Sequence, residues 1–385
     1  MKCSELSFEH LGLSKNILRG VYAHGFTSPS PIQCEAIPAI VLGKDTVVQS
    51  KNGTGKTATF LLALLQRLGD GGEGVQGLIL SPTRDLALQT FSVFDSLAKF
   101  SKIKGHCAVG GHSASADMKA VETNCGVVCG TPGRVLQLLR ERPKSFAGTK
   151  MVVLDEADRV LDNGFGTQVK SIFDALKESA PQLVIVSATL PGAVKEMLSS
   201  LLKTPQMFLV PQDKLSVDRI AQYYAEVKKQ TDKFEALCDV FGTFSISQAV
   251  IFANNKEGVS DLEKTMKMHE FSVTAIHSGL EQLERDKRLE GFFSGKHRVL
   301  ISTDVMSRGI DAAHVNLVVN YDIPLSSEEY LHRIGRGGRF GKSSIAVTLV
   351  APNEKDRAQT ICGAFGKKLQ PLILGATPVH PVLDQ

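Results

Sequence analysis

Two short stretches carry residue types that could hold a nucleoside triphosphate and hydrolyse it. The first, SKNGTGKT, runs from Ser50 to Thr57 and fits the phosphate-loop pattern G-x-x-x-x-G-K-[ST], except that serine replaces the first glycine. In such a loop the backbone N–H groups face the phosphates, Lys56 can reach the outer phosphates, and the Thr57 hydroxyl can ligate magnesium. A glycine turn with an incidental lysine is the weaker alternative.

The second stretch, VVLDEAD, places Asp155 and Glu156 directly after an apolar, β-branched run. Beside a phosphate loop, the first carboxylate can hold magnesium through water, and the second can orient or deprotonate an attacking water. An isolated acidic pair is also common at a solvated strand end or a helix N-cap. The order Asp-Glu-Ala-Asp downstream of a phosphate loop favours the catalytic interpretation.

Buried strands must position both stretches. The loop follows the β-branched run DTVVQS and precedes an apolar helix predicted over Thr57–Leu68. Runs of this kind alternate with helical stretches, which indicates parallel sheets covered on both faces, with ligands beyond the carboxyl ends of the strands. The predicted strands lie in the runs 46–50, 77–83, 126–131, 151–156, 183–189, 249–255, 272–278, 298–304, 317–323 and 345–350.

A chain of 385 residues is too long for one hydrophobic core of typical size. The stretch PQMFLVPQDKLSVDRI has prolines, charges and no clear period, as a linker would. We therefore predict a first domain over 1–204, a linker over 205–220 and a second domain over 221–385.

Composition excludes few classes of function. A hydrophobic share of 43% and a charged share of 22% are ordinary for a globular protein, and a net charge of +4 permits nucleic-acid binding without requiring it. Seven scattered cysteines fit a reducing compartment, and Cys125 and Cys129 lack a second ligand pair for a metal. With neither a leader nor a membrane span evident, we expect an intracellular protein, cytoplasmic or nuclear.

A series of motifs from Phe8 to about residue 350 resembles the DEAD-box RNA helicases of superfamily 2. The letters DEAD stand at 155–158, with conservative or permissive departures at Ser50, Asp85 and Gly337. The resemblance implies an α/β fold of two tandem RecA-like domains, each a mostly parallel sheet flanked by helices. The other matching stretches are GFTSPSPIQ (25–33), SKNGTGKT (50–57), PTRDLALQ (82–89), GG (110–111), TPGR (131–134), SAT (187–189), VIFANN (250–255), QLER (282–285), STDVMSRGID (302–311) and HRIGRGGR (332–339).

The resemblance implies ATP and Mg²⁺ as cofactors and assigns their contacts. Phe26 would stack on adenine, Gln33 would hydrogen-bond the adenine edge and select ATP over GTP, and Asp311 would touch the ribose. Thr57 and Asp155 would hold the metal. The phosphate cradle would be Gly53, Thr54, Gly55, Lys56 and Thr57.

Catalysis and coupling follow from the same resemblance. Glu156 would act on the water, and Arg336 and Arg339 resemble arginine fingers that stabilise transition-state charge when two domains close. Taken alone, such loop arginines are usually solvated, and a single histidine is more often structural. The residues that would couple the ATP state to domain closure are Asp158, Ser187, Thr189 and His332.

The resemblance also implies single-stranded RNA as a partner, gripped by its backbone with little sequence preference. Such a grip depends strongly on salt, and contacts to 2′-hydroxyls favour RNA over DNA. The implied contacts on the first domain are Pro82, Thr83, Arg84, Gly111, Thr131 and Arg134. Those on the second domain are Gln282, Arg285, Thr303 and Arg308.

Three functions stay open at this point. The first is an ATP-dependent RNA helicase whose RNA-stimulated hydrolysis unwinds short duplexes or remodels RNA–protein complexes. The second is an ATP-gated RNA clamp with slow turnover. The third, a DNA-acting motor, is disfavoured by the stretch 25–33, which resembles the family's Q motif, and by the DEAD letters. We expect a monomer that works with protein cofactors and without a membrane.

The subfamily also stays open. SISQAVIF and HRIGRGGRFG resemble the initiation-factor type, whereas LISTDVMSRGIDAAHVNLVVNYDIP also resembles the helicase subunit of the survival-motor-neuron complex. The chain stops soon after the second half, as either a minimal helicase or a core trimmed from a longer protein would.

Overall fold

The computed structural model folds into two compact units, Met1–Val210 and Pro211–Gln385. Each unit is α/β and contains a parallel sheet of seven strands, which confirms the predicted fold class. The structure describes residues 6–50, 54–69, 72–123, 125–162, 164–190, 192–202, 204–209, 220–304, 314–337, 344–363 and 369–374.

The sheet of the first unit is built from short apolar runs. Its strands are β1 (Thr46–Gln49), β2 (Gly77–Leu80), β3 (Gly105–Ala108), β4 (Val127–Gly130), β5 (Met151–Leu154), β6 (Gln182–Ser187) and β7 (Gln206–Leu209). They lie side by side in the order β3-β4-β2-β5-β6-β1-β7. All residues of β1, β2, β4, β5 and β6 are buried, because helices cover both faces.

Helices follow the strands in sequence and pack on the two faces of this sheet. Val48, Ile79 and Val153 point into one apolar cluster, whereas Val47 and Leu78 point into the cluster on the opposite face. The helices are α1 (Lys15–Ala23), α2 (Pro31–Val41), α3 (Lys56–Leu68), α4 (Arg84–Ala98), α5 (Ala114–Glu122), α6 (Pro132–Glu141), α7 (Pro143–Phe146), α8 (Ala157–Asp162), α9 (Gly166–Ala175) and α10 (Gly192–Leu201).

Strand β7 lies within the stretch 205–220, which the sequence predicts as a linker. This strand pairs in parallel with β1, and the backbone N–H of Gln206 donates to the backbone O of Asp45 at 2.7 Å. It is an edge strand with Met207 and Leu209 exposed, so it lacks the buried run that identifies the inner strands. Residues 210–219 lie outside the described residues.

The second unit repeats this plan. Its strands are β8 (Ile220–Glu226), β9 (Gln248–Phe252), β10 (Val273–Ile276), β11 (Val299–Ser302), β12 (Val315–Asn320), β13 (Ser344–Val350) and β14 (Gln370–Pro371). Their order is β10-β11-β9-β12-β13-β8-β14. The helices are α11 (Lys233–Thr243), α12 (Lys256–Met268), α13 (Gln282–Phe293), α14 (Ser327–Ile334) and α15 (Lys355–Gly363). Within the described ranges, no helix is long and apolar enough to span a bilayer.

Helices α1 and α4 approach each other closely at Gly20. A Cβ added there would overlap the backbone O of Leu97, which cannot move without shifting α4. We expect Gly20→Ala to lower the free energy of unfolding of the first unit by about 1–3 kcal/mol, since a crowded core loses that much. Hydrogen exchange of α1 and α4 measures the loss. Gly192→Ala is the control, because a Cβ there meets nothing within 4 Å; equal losses in both variants would contradict this account.

Candidate functional site

The predicted phosphate loop joins the end of β1 to the start of α3. Lys56 is the first residue of α3, and its Nζ donates a hydrogen bond to the backbone O of Ser50 at 2.6 Å. The Oγ of Ser50 lies 2.9 Å from the Oγ1 of Thr54, so the serine that replaces the usual glycine bonds within the loop. Thr57 follows at the N-terminus of a 13-residue helix, where N–H groups favour an anion. Gly53 lies outside the described residues.

Gln33 of α2 contacts the same loop. Its Oε1 accepts a hydrogen bond from the backbone N–H of Ser30 at 2.8 Å, and its Nε2 donates to the backbone O of Gly55 at 3.3 Å. A side-chain amide has capacity for a further acceptor bond and a further donor bond. The structure therefore brings Gln33 to the phosphate loop with hydrogen-bonding capacity to spare, as contact with a base edge would require.

The Phe26 ring is held in place by its neighbours. It stacks on the Phe8 ring with centroids 6.4 Å apart and planes at 26°, and the His24 ring lies 4.6 Å away edge-on. Phe26 is half-buried against the apolar cluster of α1 and α2. Its ring is thus fixed by the core while part of it stays exposed, which suits a stacking surface.

The acidic pair lies just beyond the carboxyl end of β5. The pKa of Asp155 is raised to about 7, chiefly by burial and then by the nearby Glu156 and Asp158 carboxylates, while the Lys56 ammonium acts in the opposite direction. The backbone N–H of Glu156 donates to Asp155 Oδ1 at 3.0 Å. Glu156 has a φ of +47°, a left-handed conformation that costs energy in a residue with a Cβ. The structure places Lys56 and both carboxylates within one electrostatic cluster.

Thr57 and Asp155 carry the oxygen donors that a magnesium ion takes. Magnesium is usually bound through one or two carboxylates and substrate phosphates, and a buried carboxyl group with a raised pKa needs a nearby cation to stay ionised. Across the part of the chain that the structure describes, no group of three or more His, Cys, Asp or Glu side chains could hold a metal alone. Oxygen atoms of the nucleotide would have to supply other ligands.

The three predicted coupling residues of the first unit are joined by hydrogen bonds. The Oγ1 of Thr189 donates to Asp158 Oδ2 at 2.6 Å, and the backbone N–H of Asp158 donates to Ser187 Oγ at 3.4 Å. The Ser187 Oγ in turn donates to the backbone O of Thr189 at 2.6 Å. All three side chains are buried. The segment after β6 is thus tied to the segment after β5.

The loop 110–112, which follows β3, binds two arginines that are predicted to contact RNA. The Nη1 of Arg84 donates to the backbone O of Gly110, and the Nη2 of Arg134 donates to the backbone O of His112 at 3.0 Å. Gly111 has a φ of +87°, a backbone conformation that favours glycine, and a Cβ there would displace the Arg84 Nη1 group. The predicted contacts Arg84, Gly111 and Arg134 therefore meet in one place.

Two helix N-termini point to the same region. Thr83 is the N-cap of α4, and its Oγ1 accepts a hydrogen bond from the backbone N–H of Leu86 at 3.3 Å. Thr131 is the N-cap of α6 and precedes Pro132 at the first helical position. Pro82 is buried before the first of these caps. Both N-termini carry a partial positive charge that suits phosphate.

A buried carboxylate forms an ion pair with Arg134. Asp117 of α5 is 1% exposed. Its Oδ2 accepts a hydrogen bond from Arg134 Nη1 at 2.6 Å, and its Oδ1 lies 2.8 Å from His106 Nε2. Neither Asp117 nor His106 belongs to a stretch that the sequence singles out, and an acidic residue on a short polar helix normally indicates a solvated face.

In the second unit, the arginine that follows His332 is buried in an ion pair. Arg333 is 1% exposed and binds Asp304 through two nitrogens, with Nε 2.7 Å from Oδ1. Its Nη1 donates to the backbone O of Asp322 at 2.7 Å, and its Nη2 also donates to Asn254 Oδ1 at 2.7 Å. Arg333 thus joins α14 to the ends of three neighbouring strands.

The predicted finger Arg336 lies two residues after the end of α14. Its Nε donates to the backbone O of His332 at 3.0 Å. Both side chains are buried, so Arg336 is not the solvated loop arginine that the glycine-rich stretch by itself would suggest. The second predicted finger, Arg339, lies outside the described residues.

Two of the four predicted RNA contacts of the second unit meet at the start of α13. Arg285 donates from Nη1 to Gln282 Oε1 at 3.0 Å and from Nη2 to the backbone O of Leu280 at 3.1 Å. Thr303 follows β11 and is half-buried. Arg308 and the predicted ribose contact Asp311 are not among the described residues.

Comparison with known protein families decides the identity. The profile described as DEAD/DEAH box helicase matches residues 30–197, and the profile described as helicase conserved C-terminal domain matches residues 232–341. The chain belongs to the DEAD/DEAH box helicase family. Together the two matched segments contain the phosphate loop, the acidic pair and α14.

Curated relatives of this DEAD/DEAH box helicase are similar over nearly their whole length. It is 42% identical over 367 residues to the ATP-dependent RNA helicase FAL1 of Kluyveromyces lactis, which covers 95% of this chain and 92% of the relative. It is 43% identical to the ATP-dependent RNA helicase eIF4A of Candida albicans, over 90% of this chain and 87% of the relative. These relatives are consistent with the predicted initiation-factor type.

Solved structures of DEAD-box helicases share the fold. The structure of S. cerevisiae Dbp5 bound to RNA and ADP BeF3 has a TM-score of 0.87 and 34% identity, covering 95% of each chain. That of Mss116p bound to ssRNA and AMP-PNP has a TM-score of 0.85 and 27% identity, covering 95% of this chain and 78% of the other. These likenesses agree with two RecA-like domains in this helicase.

A cleft of about 980 Å³ lies at the amino-terminal ends of the strands of the first sheet. Its lining includes Lys44 and Lys150, which precede β1 and β5, and Gln182, the first residue of β6. None of the predicted site residues lines it. The helicase residues therefore lie beyond the carboxyl ends of the strands rather than at this cleft, as the rule for open α/β sheets states.

Proposed function

We propose that this protein is an ATP-dependent RNA helicase, in which RNA-stimulated ATP hydrolysis drives local unwinding of short duplexes or remodelling of RNA–protein complexes. The arrangement that supports this most strongly is in the first unit. There the carboxyl ends of the strands carry the phosphate loop, the acidic pair and the Asp158–Thr189 hydrogen bond. They also carry the loop that binds Arg84 and Arg134. Relatives 42% and 43% identical are named ATP-dependent RNA helicases.

Different residues of the first unit have separate roles in ATP hydrolysis. Phe26 and Gln33 bind the base, and the α3 N-terminus with Lys56 binds the phosphates. Magnesium held by Thr57 and Asp155 would neutralise phosphate charge. Glu156 orients the attacking water and takes its proton as the bond from the γ-phosphorus to ADP breaks.

The second unit would complete this reaction. We assign to Arg336 and Arg339 the stabilisation of charge on the transferring phosphoryl group, and to Asp311 the ribose contact. Because the phosphate loop and these arginines belong to different units, ATP would favour closure of the two, with His332 and the Asp158–Thr189 bond as coupling elements.

RNA would be held by its sugar–phosphate backbone. On the first unit the grip consists of the α4 and α6 N-termini with Arg84 and Arg134, and on the second unit of Gln282, Arg285 and Thr303 with Arg308. Backbone contacts carry no base sequence, and contacts to 2′-hydroxyls select RNA. Closure on one strand of a short duplex would bend that strand and separate it locally.

We infer the protein partners of this chain from its relatives. A solved structure shows S. cerevisiae Dbp5 bound to Nup159 and Gle1, and we propose that this chain, itself a monomer, also takes protein partners. It would act inside the cell, in the cytoplasm or the nucleus.

ATP hydrolysis measured with and without single-stranded RNA, at low and moderate salt, tests the proposal. We expect strong stimulation by RNA that weakens as salt rises, and little stimulation by DNA of the same sequence. Negligible turnover with ATP-dependent retention of RNA would replace the helicase with the clamp. If ATP does not change the binding of RNA, or if RNA does not change the hydrolysis of ATP, the proposal is overturned.

A further inference from the structure

The Arg134 side chain is restrained at two of its donor groups before any RNA binds. Nη1 donates to Asp117 Oδ2 at 2.6 Å, and Nη2 donates to the backbone O of His112 at 3.0 Å. A guanidinium carries five N–H donors in a fixed plane. Because two of them are bound on one side, the plane is oriented, and the remaining donors keep a defined direction for an incoming phosphate.

The anchoring carboxylate is itself held. Asp117 is 1% exposed, so its position is set by packing, and its second oxygen lies 2.8 Å from His106 Nε2 on edge strand β3. His106, Asp117 and Arg134 thus form a chain from β3 through α5 to α6, which we name the Asp117 chain. A buried carboxylate that loses its partners is costly, so the pairing is maintained in the folded protein.

The same loop orients a second arginine. Gly110 accepts from Arg84 while His112 accepts from Arg134, and β3 ends just before this loop. The Asp117 chain therefore orients one of the two arginines that this loop binds. Arg84 lies at the α4 N-terminus, and Arg134 lies within the first turn of α6. Two oriented guanidiniums at two helix N-termini can bind neighbouring phosphates of one strand.

We propose that Asp117 and His106 are positioning residues for RNA binding, which act by holding Arg134 in its phosphate-binding orientation. This rests on the proposed function, since it takes the ligand to be an RNA backbone. Neither residue contacts RNA itself. Their contribution is preorganisation: an arginine already held in one geometry loses less side-chain entropy when it binds.

The test measures affinity for a fluorescein-labelled single-stranded oligouridylate by anisotropy, in the presence of a non-hydrolysable ATP analogue. We expect Asp117→Asn to weaken RNA binding about tenfold, in the range of losing one oriented charged hydrogen bond. His106→Gln should weaken it less. The RNA concentration for half-maximal ATPase should rise in parallel, while the KM for ATP and the rate at saturating RNA stay unchanged.

A double-mutant cycle separates positioning from general damage. In an Arg134→Ala background, Asp117→Asn should cause no further loss of RNA affinity, whereas a purely structural defect would persist there. The matched control is Glu122→Gln on the same helix, because Glu122 forms an exposed ion pair with Arg142. If Asp117→Asn does not fold, the cycle is run with His106→Gln.

The outcomes distinguish this proposal from the proposed function. Wild-type affinity in Asp117→Asn, or equal losses with and without Arg134, would overturn the positioning role while leaving the helicase intact. Failure of the wild-type protein to bind RNA at all would overturn both. Loss of affinity that disappears in the Arg134→Ala background, with the Glu122→Gln control unaffected, is the expected result.

Discussion

Replacement of Glu156 by glutamine is expected to slow RNA-stimulated ATP hydrolysis by about 10²–10⁴-fold, the range that a positioned general base contributes. An amide of the same shape cannot take a proton from water. Nucleotide binding should persist, because Lys56 and the α3 N-terminus are untouched. The measurement is steady-state ATPase at saturating RNA, together with the affinity for an ATP analogue.

Glu178→Gln is the matched control, since this glutamate is exposed in a surface turn of the same unit. Its ATPase should equal that of the wild type. If Glu156→Gln retains more than a tenth of the ATPase activity, a group other than Glu156 takes the proton from the attacking water. Equal losses of hydrolysis and nucleotide affinity would show that the substitution disturbed the phosphate loop instead.

Replacement of Asp304 by alanine is expected to destabilise the second unit by about 3–5 kcal/mol, the cost of leaving a buried charge without its partner. Arg333 is 1% exposed and binds Asp304 through two nitrogens. Its other acceptors, the backbone O of Asp322 and Asn254 Oδ1, carry no full charge that could replace the carboxylate.

Hydrogen exchange followed by mass spectrometry measures this effect region by region, which matters because a two-unit chain need not unfold in one step. Exchange should accelerate in α14 and in β9, β11 and β12, but not in the first unit. Asp261→Ala is the control, because its pairing with Lys264 is exposed. An unchanged exchange pattern in Asp304→Ala would contradict the assignment of a buried ion pair.

Most inner strands of the two sheets were predictable because they are buried on both faces and therefore read as continuous apolar runs. β8 was missed although it lies between β13 and β14, because four of its seven residues are only half-buried and it forms no such run. β7 was not predictable either, since its exposed Met207 and Leu209 sit among prolines and charges, and only pairing with β1 makes it a strand. Tertiary pairing, rather than local propensity, decides such an edge strand.

Much of the site was predictable because its residues occur in short ordered motifs, each next to a strand end. The structure brings Lys56 to Asp155, and Asp158 to Thr189, as those motifs require. The supporting residues could not be found in this way. Asp117 lies on a polar helix, and its two partners, His106 and Arg134, lie on other elements. The roles of Gly53, Arg308, Asp311 and Arg339 stay predictions.

The order of strands in the first sheet fixes when the phosphate loop can form during synthesis. β1 lies between β6 and β7, and these partners are the last two strands of the unit to be made. Until residue 209 has left the ribosome, β1 lacks a strand to pair with on at least one side. Such non-local pairing is slow, and the exposed strand is prone to aggregate. A nascent chain that stops before β6 should therefore present the helices α4 and α6, which we propose to contact RNA, without a working nucleotide site.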